Sequence, residues 1–171
     1  SMSEEKQLEG KVTVVTGGGR GIGAAIALAC AKEGARLALV ARTTEQLDEV
    51  AKLVDEAGAD VTVLTTDVTD RLQTEAMAQA VRDYFGRIDI LFNNAGGGME
   101  KNLVAESDPD LWVQDVTLNL TSAYLVTHAL LPLMIESGGG KIINTGSGMG
   151  HSSGAKSSAY HVGKAGMWMF T

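Results

Sequence analysis

The chain has 171 residues, of which 44% are hydrophobic and 20% charged, a balance typical of a globular protein with one domain. Its 14 Lys and Arg residues are outnumbered by 21 Asp and Glu residues, and the formal net charge of −7 argues against general nucleic-acid binding, which needs cations to neutralise phosphates. No uninterrupted apolar run approaches the roughly 18 residues that span a bilayer, and Cys30 is the only cysteine, so we expect a cytoplasmic protein without a membrane partner or an internal disulfide.

The predicted elements alternate between strands and helices along the chain. Ser1 before Met2 is typical of the scar of a cleaved expression tag, and residues 1–7 are expected to be a flexible N-terminus ahead of one domain over residues 8–171. Five β-rich runs with little polar alternation predict strands buried on both faces: Val12–Thr16, Arg36–Ala41, Val61–Thr66, Ile88–Asn93 and Lys141–Thr145. Helical periodicity lies between them, over roughly Gly21–Glu33, Thr44–Ala57, Arg71–Phe85 and Asp110–Glu136, and a fifth helix begins near Ser157.

Strict alternation of strands and helices predicts an α/β fold, a Rossmann-type doubly wound parallel sheet with helices on both faces. The residues expected at helix ends agree with this prediction. Gly34, Gly58 and Gly86 each follow a predicted helix, and Pro109 lies where one begins. A six-stranded sheet of this type needs at least one more strand. We therefore expect the C-terminal part of the usual domain to be absent from this chain.

A glycine-rich segment joins the first strand to the first helix. It contains Gly17, Gly19, Gly21 and Gly23, and the dinucleotide-binding pattern G-x-G-x-x-G/A is met by Gly19, Gly21 and Ala24. Glycines here allow backbone N–H groups to approach a pyrophosphate at the positive end of the helix dipole. A glycine-rich turn can also be only a tight connection, but its place between strand and helix favours nucleotide binding.

The end of the second strand predicts the type of nucleotide. An NAD-binding site usually carries an acidic residue about 20 positions beyond the glycines, but Ala41 and Arg42 occupy that region here. A guanidinium at Arg42, with Arg20 in the turn as a second cation, would pair with a 2′-phosphate. Both arginines could equally be solvated surface charges, yet the pattern predicts a preference for NADP(H) over NAD(H).

Tyr160 and Lys164 are four residues apart on a predicted helix and therefore share one face. A free tyrosine, with a pKa of about 10, is a poor acid or base near neutrality, and a neighbouring ammonium favours its ionised form. Ser147 follows the fifth strand, at the sheet edge where ligands bind, and its hydroxyl could polarise a substrate carbonyl. The alternatives without a catalytic role are that Tyr160 and Lys164 are an ordinary pair on a helix and that Ser147 belongs to a glycine- and serine-rich loop.

These motifs occur together in one order. TGGGRGIG (16–23), DV (67–68), NNAG (93–96), Asn119, Ser147 and YHVGK (160–164) follow each other with the approximate spacing of the short-chain dehydrogenase/reductase family, which the chain resembles from Leu8 onward. Each motif is modest by itself, but six in register are highly specific. Gly146 departs from the pattern, since a serine more often precedes the residue at Ser147.

The resemblance implies a role for each matching residue. Tyr160 would be the general acid/base, Lys164 would favour its ionised form and bind the nicotinamide ribose, Ser147 would position the substrate oxygen, and Asn119 would hold a water in a proton relay. The cofactor-binding residues that it implies are Gly17, Gly19, Arg20, Gly21, Ile22, Gly23, Arg42, Thr43, Asp67, Val68, Asn94, Ala95, Gly96, Tyr160 and Lys164. Asn93 is expected to brace neighbouring strands.

The resulting hypothesis is an oxidoreductase that transfers a hydride between NADP(H) and a small-molecule carbonyl or secondary alcohol. The alternatives are an isomerase, epimerase or dehydratase that reuses Tyr160 and Lys164, and a nucleotide-binding protein or fragment without turnover. With three histidines and no Cys/His cluster, the sequence predicts no metal site. His151 could contact substrate, whereas His161 should point elsewhere. The family resemblance also implies a homo-dimer or homo-tetramer.

Overall fold

The computed structural model describes residues 5–171, so the predicted tag scar at Ser1 and the first four residues of the predicted N-terminal segment 1–7 lie outside the described residues. The strands are β1 (Val12–Thr16), β2 (Arg36–Ala41), β3 (Val61–Thr65), β4 (Ile90–Asn93) and β5 (Lys141–Asn144). The helices are α1 (Gly21–Lys32), α2 (Thr44–Glu56), α3 (Arg71–Phe85), α4 (Pro109–Val116), α5 (Ser122–Glu136) and α6 (Ser158–Phe170). Short 3-10 turns cover Val104–Glu106 and Gly148–Gly150, and a π-helical turn, Thr117–Thr121, joins α4 to α5.

The five strands form one parallel sheet in the order β3-β2-β1-β4-β5. The predicted α/β fold is confirmed. The chain moves outward from β1 in one direction through β2 and β3, and then returns to β4 on the other side of β1. The carboxyl ends of β1 and β4 therefore leave a crevice where the connections diverge, which is the usual ligand position in such sheets.

The core lies on both faces of the sheet. On one face, Val14 of β1 packs with Val81 and Phe85 of α3 and with Leu130 of α5. On the other face, Leu37 and Leu39 of β2 pack with Ala27 of α1 and with Leu47 and Val54 of α2. This double burial explains why the strands are almost continuously apolar. Cys30 belongs to the second cluster, where burial raises the pKa of its thiol, as expected of an unreactive core cysteine.

The predicted helix Asp110–Glu136 is interrupted. Asp108 caps its start by accepting hydrogen bonds from the backbone N–H groups of Asp110 (2.8 Å) and Leu111 (3.2 Å). Beyond α4 the helix widens into the π-helical turn, where the Asn119 side chain donates to the Asp115 carbonyl at 2.8 Å. A side chain that takes a backbone acceptor competes with the regular helical ladder, so periodicity predicted the helix but missed the widening.

The sequence predicted that the fourth strand begins at Ile88, but β4 begins at Ile90. Asp89 anchors this start: its carboxylate accepts from the Val12 N–H at 2.9 Å and from Arg87 at 2.7 Å. Burial opposes ionisation of Asp89, but the bonds from Arg87 and Val12 outweigh it and lower its pKa. Four other predicted ends, at Glu33, Ala57, Thr66 and Thr145, each lie one residue beyond the observed element.

The helical run Pro109–Glu136 is long and apolar enough to cross a bilayer by length and composition, with a mean hydropathy of 1.4 over its most apolar stretch. Its inner residues Val126, Leu130 and Leu133 are buried in the core against the sheet. A core helix meets the same criterion, so the run is accounted for by its packing in the fold.

Candidate active site

A cavity of about 450 Å³ opens at the carboxyl ends of the strands. The glycine-rich turn lines one part of its wall, and Tyr160 and Lys164 of α6 line another. Thirteen residues named from the sequence contribute to the wall: Gly17, Gly19, Arg20, Gly21, Ile22, Arg42, Thr43, Val68, Asn94, Ala95, Gly96, Tyr160 and Lys164. Gly23, Asp67, Asn119 and Ser147 lie outside that wall, each in a distinct position described below.

The turn between β1 and α1 needs its glycines for two reasons. Gly17 and Gly21 have φ angles of 64° and 53°, in the left-handed region that disfavours other residues. A Cβ at Gly23 would collide with the Gly17 carbonyl and would lie 2.7 Å from the Asn94 side-chain nitrogen. Gly23 thus lets α1 approach the turn closely. The N-terminus of α1 faces the cavity through Gly21 and Ile22, as an anion-binding site requires.

Arg20 and Arg42 give this part of the cavity its positive charge. Both are exposed, and within residues 5–171 neither forms an ion pair. Asp67 lies next to Val68, and its carboxylate accepts from the Thr69 hydroxyl at 2.6 Å. Burial opposes ionisation of Asp67, but the Thr69 hydrogen bonds and the Arg42 charge outweigh it and lower its pKa. Asp67 therefore shapes the loop next to Val68, which does line the cavity.

Side chains at the strand ends hold the middle of the wall. The Thr16 hydroxyl oxygen accepts from the backbone N–H groups of Asn94 (3.0 Å) and Ala95 (3.1 Å). The Thr145 hydroxyl donates to the Asn94 side-chain oxygen at 3.1 Å. Asn93 braces two elements, because its amide donates to Asn144 of β5 (2.9 Å) and to Thr127 of α5 (3.0 Å). The chain after β4 is therefore fixed on both sides.

Lys164 is the buried cation of the site. It is only 5% exposed, and its Nζ donates to the Thr145 carbonyl at 3.1 Å. Burial lowers the pKa of its ammonium. Nζ also lies 5.7 Å from the centroid of the Tyr160 ring, so the two side chains that the YHVGK motif predicted together do face the same cavity.

Asn119 lies one layer behind the wall and is 1% exposed. Its oxygen accepts from the Gly97 N–H at 3.1 Å, while its amide donates to the Gly97 carbonyl at 2.5 Å and to the Asp115 carbonyl at 2.8 Å. The Asn119 side chain is thus hydrogen-bonded to both the N–H and the carbonyl of Gly97. A Cβ at Gly96 would lie 2.8 Å from the Asn119 oxygen and 3.3 Å from Lys164 Nζ, so the loop after β4 touches the catalytic candidates directly.

Ser147 lies just beyond β5, at the start of the turn Gly148–Gly150. Its Oγ accepts from the Met149 N–H at 3.2 Å, which leaves the hydroxyl hydrogen available for another acceptor. His161 Nδ1 lies 2.8 Å from the Met149 carbonyl and 2.7 Å from the Ser152 carbonyl, so its ring holds this loop and points away from the cavity. His151 packs its ring edge-on against Trp168, with centroids 4.5 Å apart.

Sequence reasoning missed six residues of the wall, which share a position at or just after a strand end or at a helix terminus: Ala41, Gln46, Thr66, Gly97, Leu118 and Thr145. The rule that ligands bind at the carboxyl ends of parallel strands could have identified Ala41, Thr66 and Thr145. Leu118 belongs to the π-helical turn, which leaves no sequence signal of its own.

Comparisons with known proteins identify the family of this chain. The short chain dehydrogenase family matches residues 11–171. The chain belongs to the short-chain dehydrogenase family. An uncharacterized oxidoreductase of Mycobacterium tuberculosis is 40% identical over 166 residues, which are 96% of this chain and 63% of that protein. The predicted family membership is confirmed.

Two solved structures are also similar to the chain. NAD⁺-bound xylitol dehydrogenase has a TM-score of 0.94 at 34% identity, covering 97% of this chain and 64% of that one. A metagenomic short-chain oxidoreductase in complex with NADP has a TM-score of 0.91 at 37% identity, covering 95% of this chain and 74% of that one. The chain therefore spans somewhat less than two thirds of the first of these structures and of the mycobacterial relative.

Proposed function

We propose that this protein is an oxidoreductase that transfers a hydride between NADP(H) and a carbonyl or secondary alcohol. One observation carries the proposal: a single cavity is bordered by the glycine-rich turn, by the exposed Arg20 and Arg42, and by Tyr160 beside the buried Lys164. A site that joins a phosphate-binding turn to an acid/base pair suits the reduction of a carbonyl. Within the same proposal, residues 8–171 are the dinucleotide-binding and catalytic domain.

The residues of the cavity fit a nicotinamide dinucleotide. Gly17, Gly19 and Gly21 carry no side chains, so their N–H groups are accessible and would hold the pyrophosphate. Asn94, Ala95 and Gly96 would line the groove for the rest of the cofactor, and Lys164 would bind its ribose. The bound cofactor supplies or receives the hydride, and the protein supplies orientation and electrostatics.

The preference for NADP(H) depends on this chain's own charges, since the similar structures carry NAD⁺ in one case and NADP in the other. Arg20 and Arg42 are exposed at the cavity, and Thr43 lies beside them. A phosphate monoester would pair with both guanidinium groups. We expect Arg42→Ala to raise the Kd for NADPH about 10–100-fold, since a hydrogen bond to a charged group contributes about 1.5–3 kcal/mol.

The same substitution should leave the Kd for NADH nearly unchanged, because NADH has no 2′-phosphate. Arg71→Ala is the matched control, because Arg71 is an exposed arginine whose i,i+4 partner is Glu75 on α3. Titration of cofactor fluorescence measures all these affinities. Equal losses for NADPH and NADH, or a wild-type preference for NADH, would contradict the assignment of Arg42.

The proposed chemistry assigns one proton transfer to Tyr160. During reduction its hydroxyl donates to the substrate oxygen, and during oxidation it receives that proton. Lys164 Nζ lies 5.7 Å from the centroid of the Tyr160 ring, so both side chains are available to the same substrate and cofactor. Ser147 has a hydroxyl hydrogen available to orient the substrate oxygen, and Asn119 would hold the water that returns protons to the site.

The experiment is a panel of carbonyl compounds with NADPH, followed by its absorbance, on the intact protein and on Tyr160→Phe. We expect the variant to bind NADPH normally and to lose turnover by about 100–10,000-fold, the usual contribution of general acid/base catalysis. Tyr124→Phe is the control, because Tyr124 is an exposed tyrosine of α5. Full turnover in Tyr160→Phe would refute the proposed role.

The same panel separates the alternatives. An isomerase or dehydratase would convert substrate with no net change in NADPH, whereas a nucleotide-binding protein without turnover would only bind the cofactor. The proposal also includes a cytoplasmic location and a homo-oligomer, either a dimer or a tetramer. Light scattering of the intact protein would measure the assembly.

A further inference from the structure

The loop between β4 and α4, residues 94–108, forms the part of the wall nearest to the catalytic candidates. Gly97 lines the cavity. A Cβ at Gly98 would lie 3.5 Å from the Tyr160 ring, and one at Gly96 would lie 3.3 Å from Lys164 Nζ. A displacement of about 1 Å in this loop would therefore change the space around Tyr160 and Lys164.

Two buried carboxylates hold this loop. Asp115 of α4 is 0% exposed, and its oxygens accept from the N–H groups of Met99 (2.9 Å) and Glu100 (2.8 Å). Glu100 is 3% exposed, and its two oxygens accept from the N–H groups of Asn102 (2.8 Å) and Asp108 (2.9 Å). The two side chains thus capture four backbone donors of one loop.

Neither carboxylate forms an ion pair within the part of the chain that the structure describes. A buried charge without a countercharge is costly unless hydrogen bonds compensate for it. Here backbone N–H groups are the compensation, and hydrogen bonds to an ionised acceptor are stronger than neutral ones. The cost of burying Asp115 and Glu100 is thus offset by fixing the loop backbone.

The π-helical turn that follows α4 binds the same loop at a neighbouring point. Its Asn119 amide donates to the Asp115 carbonyl at 2.8 Å. Asn119 bonds with both backbone groups of Gly97, while Asp115 accepts from the N–H groups of Met99 and Glu100. Two adjacent points of the loop are therefore fixed by α4 and by the π-helical turn that continues it.

We propose that Asp115, supported by Glu100, is a positioning residue of the active site. It fixes the backbone of Gly97–Glu100, and this backbone in turn keeps the side chains of Asn119, Tyr160 and Lys164 in their relative positions. The inference rests on the proposed function, since the register matters for the proton transfer at Tyr160. It assigns a role in turnover to two carboxylates that touch neither cofactor nor substrate.

The test compares Asp115→Asn and Glu100→Gln with Asp110→Asn, which alters an exposed carboxylate in the first turn of the same helix. Each amide variant keeps one acceptor oxygen and turns an NH₂ group toward a backbone N–H. Hydrogen exchange should accelerate at the Met99 and Glu100 amides in Asp115→Asn, and at the Asn102 and Asp108 amides in Glu100→Gln. Asp110→Asn should leave all four amides protected.

Turnover is measured with a carbonyl substrate from the panel and NADPH, beside the Kd for NADPH. We expect kcat to fall about 100-fold in Asp115→Asn, the loss that a misplacement of about 1 Å can cause. The Kd for NADPH should change far less, since Gly97 is the residue of the segment Gly97–Glu100 that lines the cavity, whereas the glycine-rich turn and Arg42 line another part of the wall. Glu100→Gln should show the same split to a smaller degree.

Wild-type kcat in Asp115→Asn with faster exchange of its amides would overturn the inference, because the loop would then be loosened without consequence. Wild-type exchange and kcat would overturn it as well. If Asp115→Asn fails to fold, Glu100→Gln is judged by the same outcomes. Tyr160→Phe distinguishes the two levels: its full activity refutes the proposed function, whereas an inactive Tyr160→Phe beside a fully active Asp115→Asn refutes only the positioning role.

Discussion

Gly96→Ala is the smallest change that reaches the catalytic candidates. Its added Cβ would lie 2.8 Å from the Asn119 oxygen, 3.3 Å from Lys164 Nζ and 3.9 Å from the Asn119 Cγ. Non-bonded heavy atoms prefer separations of about 3.5–4.0 Å, so the first contact must open by more than half an ångström on that scale. Asn119 is buried and bound on three sides, so it cannot rotate away without losing a hydrogen bond.

The magnitude follows from these contacts. Inserting a methyl group into a packed site costs about 1–3 kcal/mol, and loss of the hydrogen bond from the Gly97 N–H to Asn119 costs about 0.5–1.5 kcal/mol. Because the loop can relax partly, we expect the free energy of unfolding to fall by about 2 kcal/mol. In a domain of this size each kcal/mol lowers Tm by about 2–4 °C, so Tm should fall by roughly 4–8 °C. The relative positions of the Asn119 and Lys164 side chains would also change. A misplacement of about 1 Å can reduce turnover strongly, so kcat should fall about 100-fold.

The assay is thermal unfolding together with NADPH-dependent turnover of the intact protein. Gly146→Ala is the matched control, because a Cβ there meets no atom within 4 Å and its φ is not in the left-handed region. We expect that control to retain wild-type Tm and kcat. If Gly96→Ala behaved like Gly146→Ala in both measurements, the close packing of Gly96, Asn119 and Lys164 would be the wrong explanation for the glycine.

Two further predictions concern α6. Burial lowers the pKa of Lys164 in the folded protein below its ordinary value of 10.5. Between the folded and the unfolded pKa the unfolded chain therefore binds more protons than the folded one. The destabilisation caused by burying the Lys164 charge is thus fully present at pH 7 and is relieved as the pH rises through that interval. Lys164→Met should therefore abolish turnover yet raise the Tm at pH 7, by about 2–4 °C per kcal/mol, and the gain should shrink as unfolding is followed toward pH 10.5; no gain at pH 7 would contradict the burial argument. His161 Nδ1 lies within hydrogen-bond distance of the Met149 and Ser152 carbonyls. His161→Asn should retain most of the kcat because its amide can replace that donor, whereas His161→Leu should lose about 2- to 13-fold, the factor for one missing hydrogen bond of about 0.5–1.5 kcal/mol. Equal kcat values for the two variants would exclude a positioning role for His161.

The fold was predictable because its signals are local. The strands are buried on both faces and read as apolar runs, while glycines such as Gly34 and Gly86 end the helices with positive φ. Alternation then allows few topologies, since crossovers in parallel sheets have one hand. The glycine-rich turn and the Tyr160–Lys164 pair are also local patterns, so the cavity residues of those two segments could be named in advance.

The rest of the candidate site depends on contacts between distant segments. Asp115 and Glu100 read as ordinary charges of a solvated helix and loop, and only the fold reveals that both are buried around backbone donors. Thr145 is similar: it ends a strand in the sequence, but in the structure its carbonyl accepts from Lys164 and its hydroxyl donates to Asn94. No periodicity encodes such partners, because they depend on how the loop and the strand ends fold back on other elements.

The π-helical turn and the glycines of α6 together explain how Tyr160 and Lys164 reach the site. A Cβ at Gly163 would lie 2.8 Å from the Asn119 Cβ, and one at Gly166 would lie 2.6 Å from the Leu120 side chain. Glycine at both positions lets α6 pack directly on the widened turn. The glycine in YHVGK is therefore needed for the packing of the candidate site: a larger residue at Gly163 would push α6 away from Asn119 and separate Lys164 from the loop that Asn119 binds.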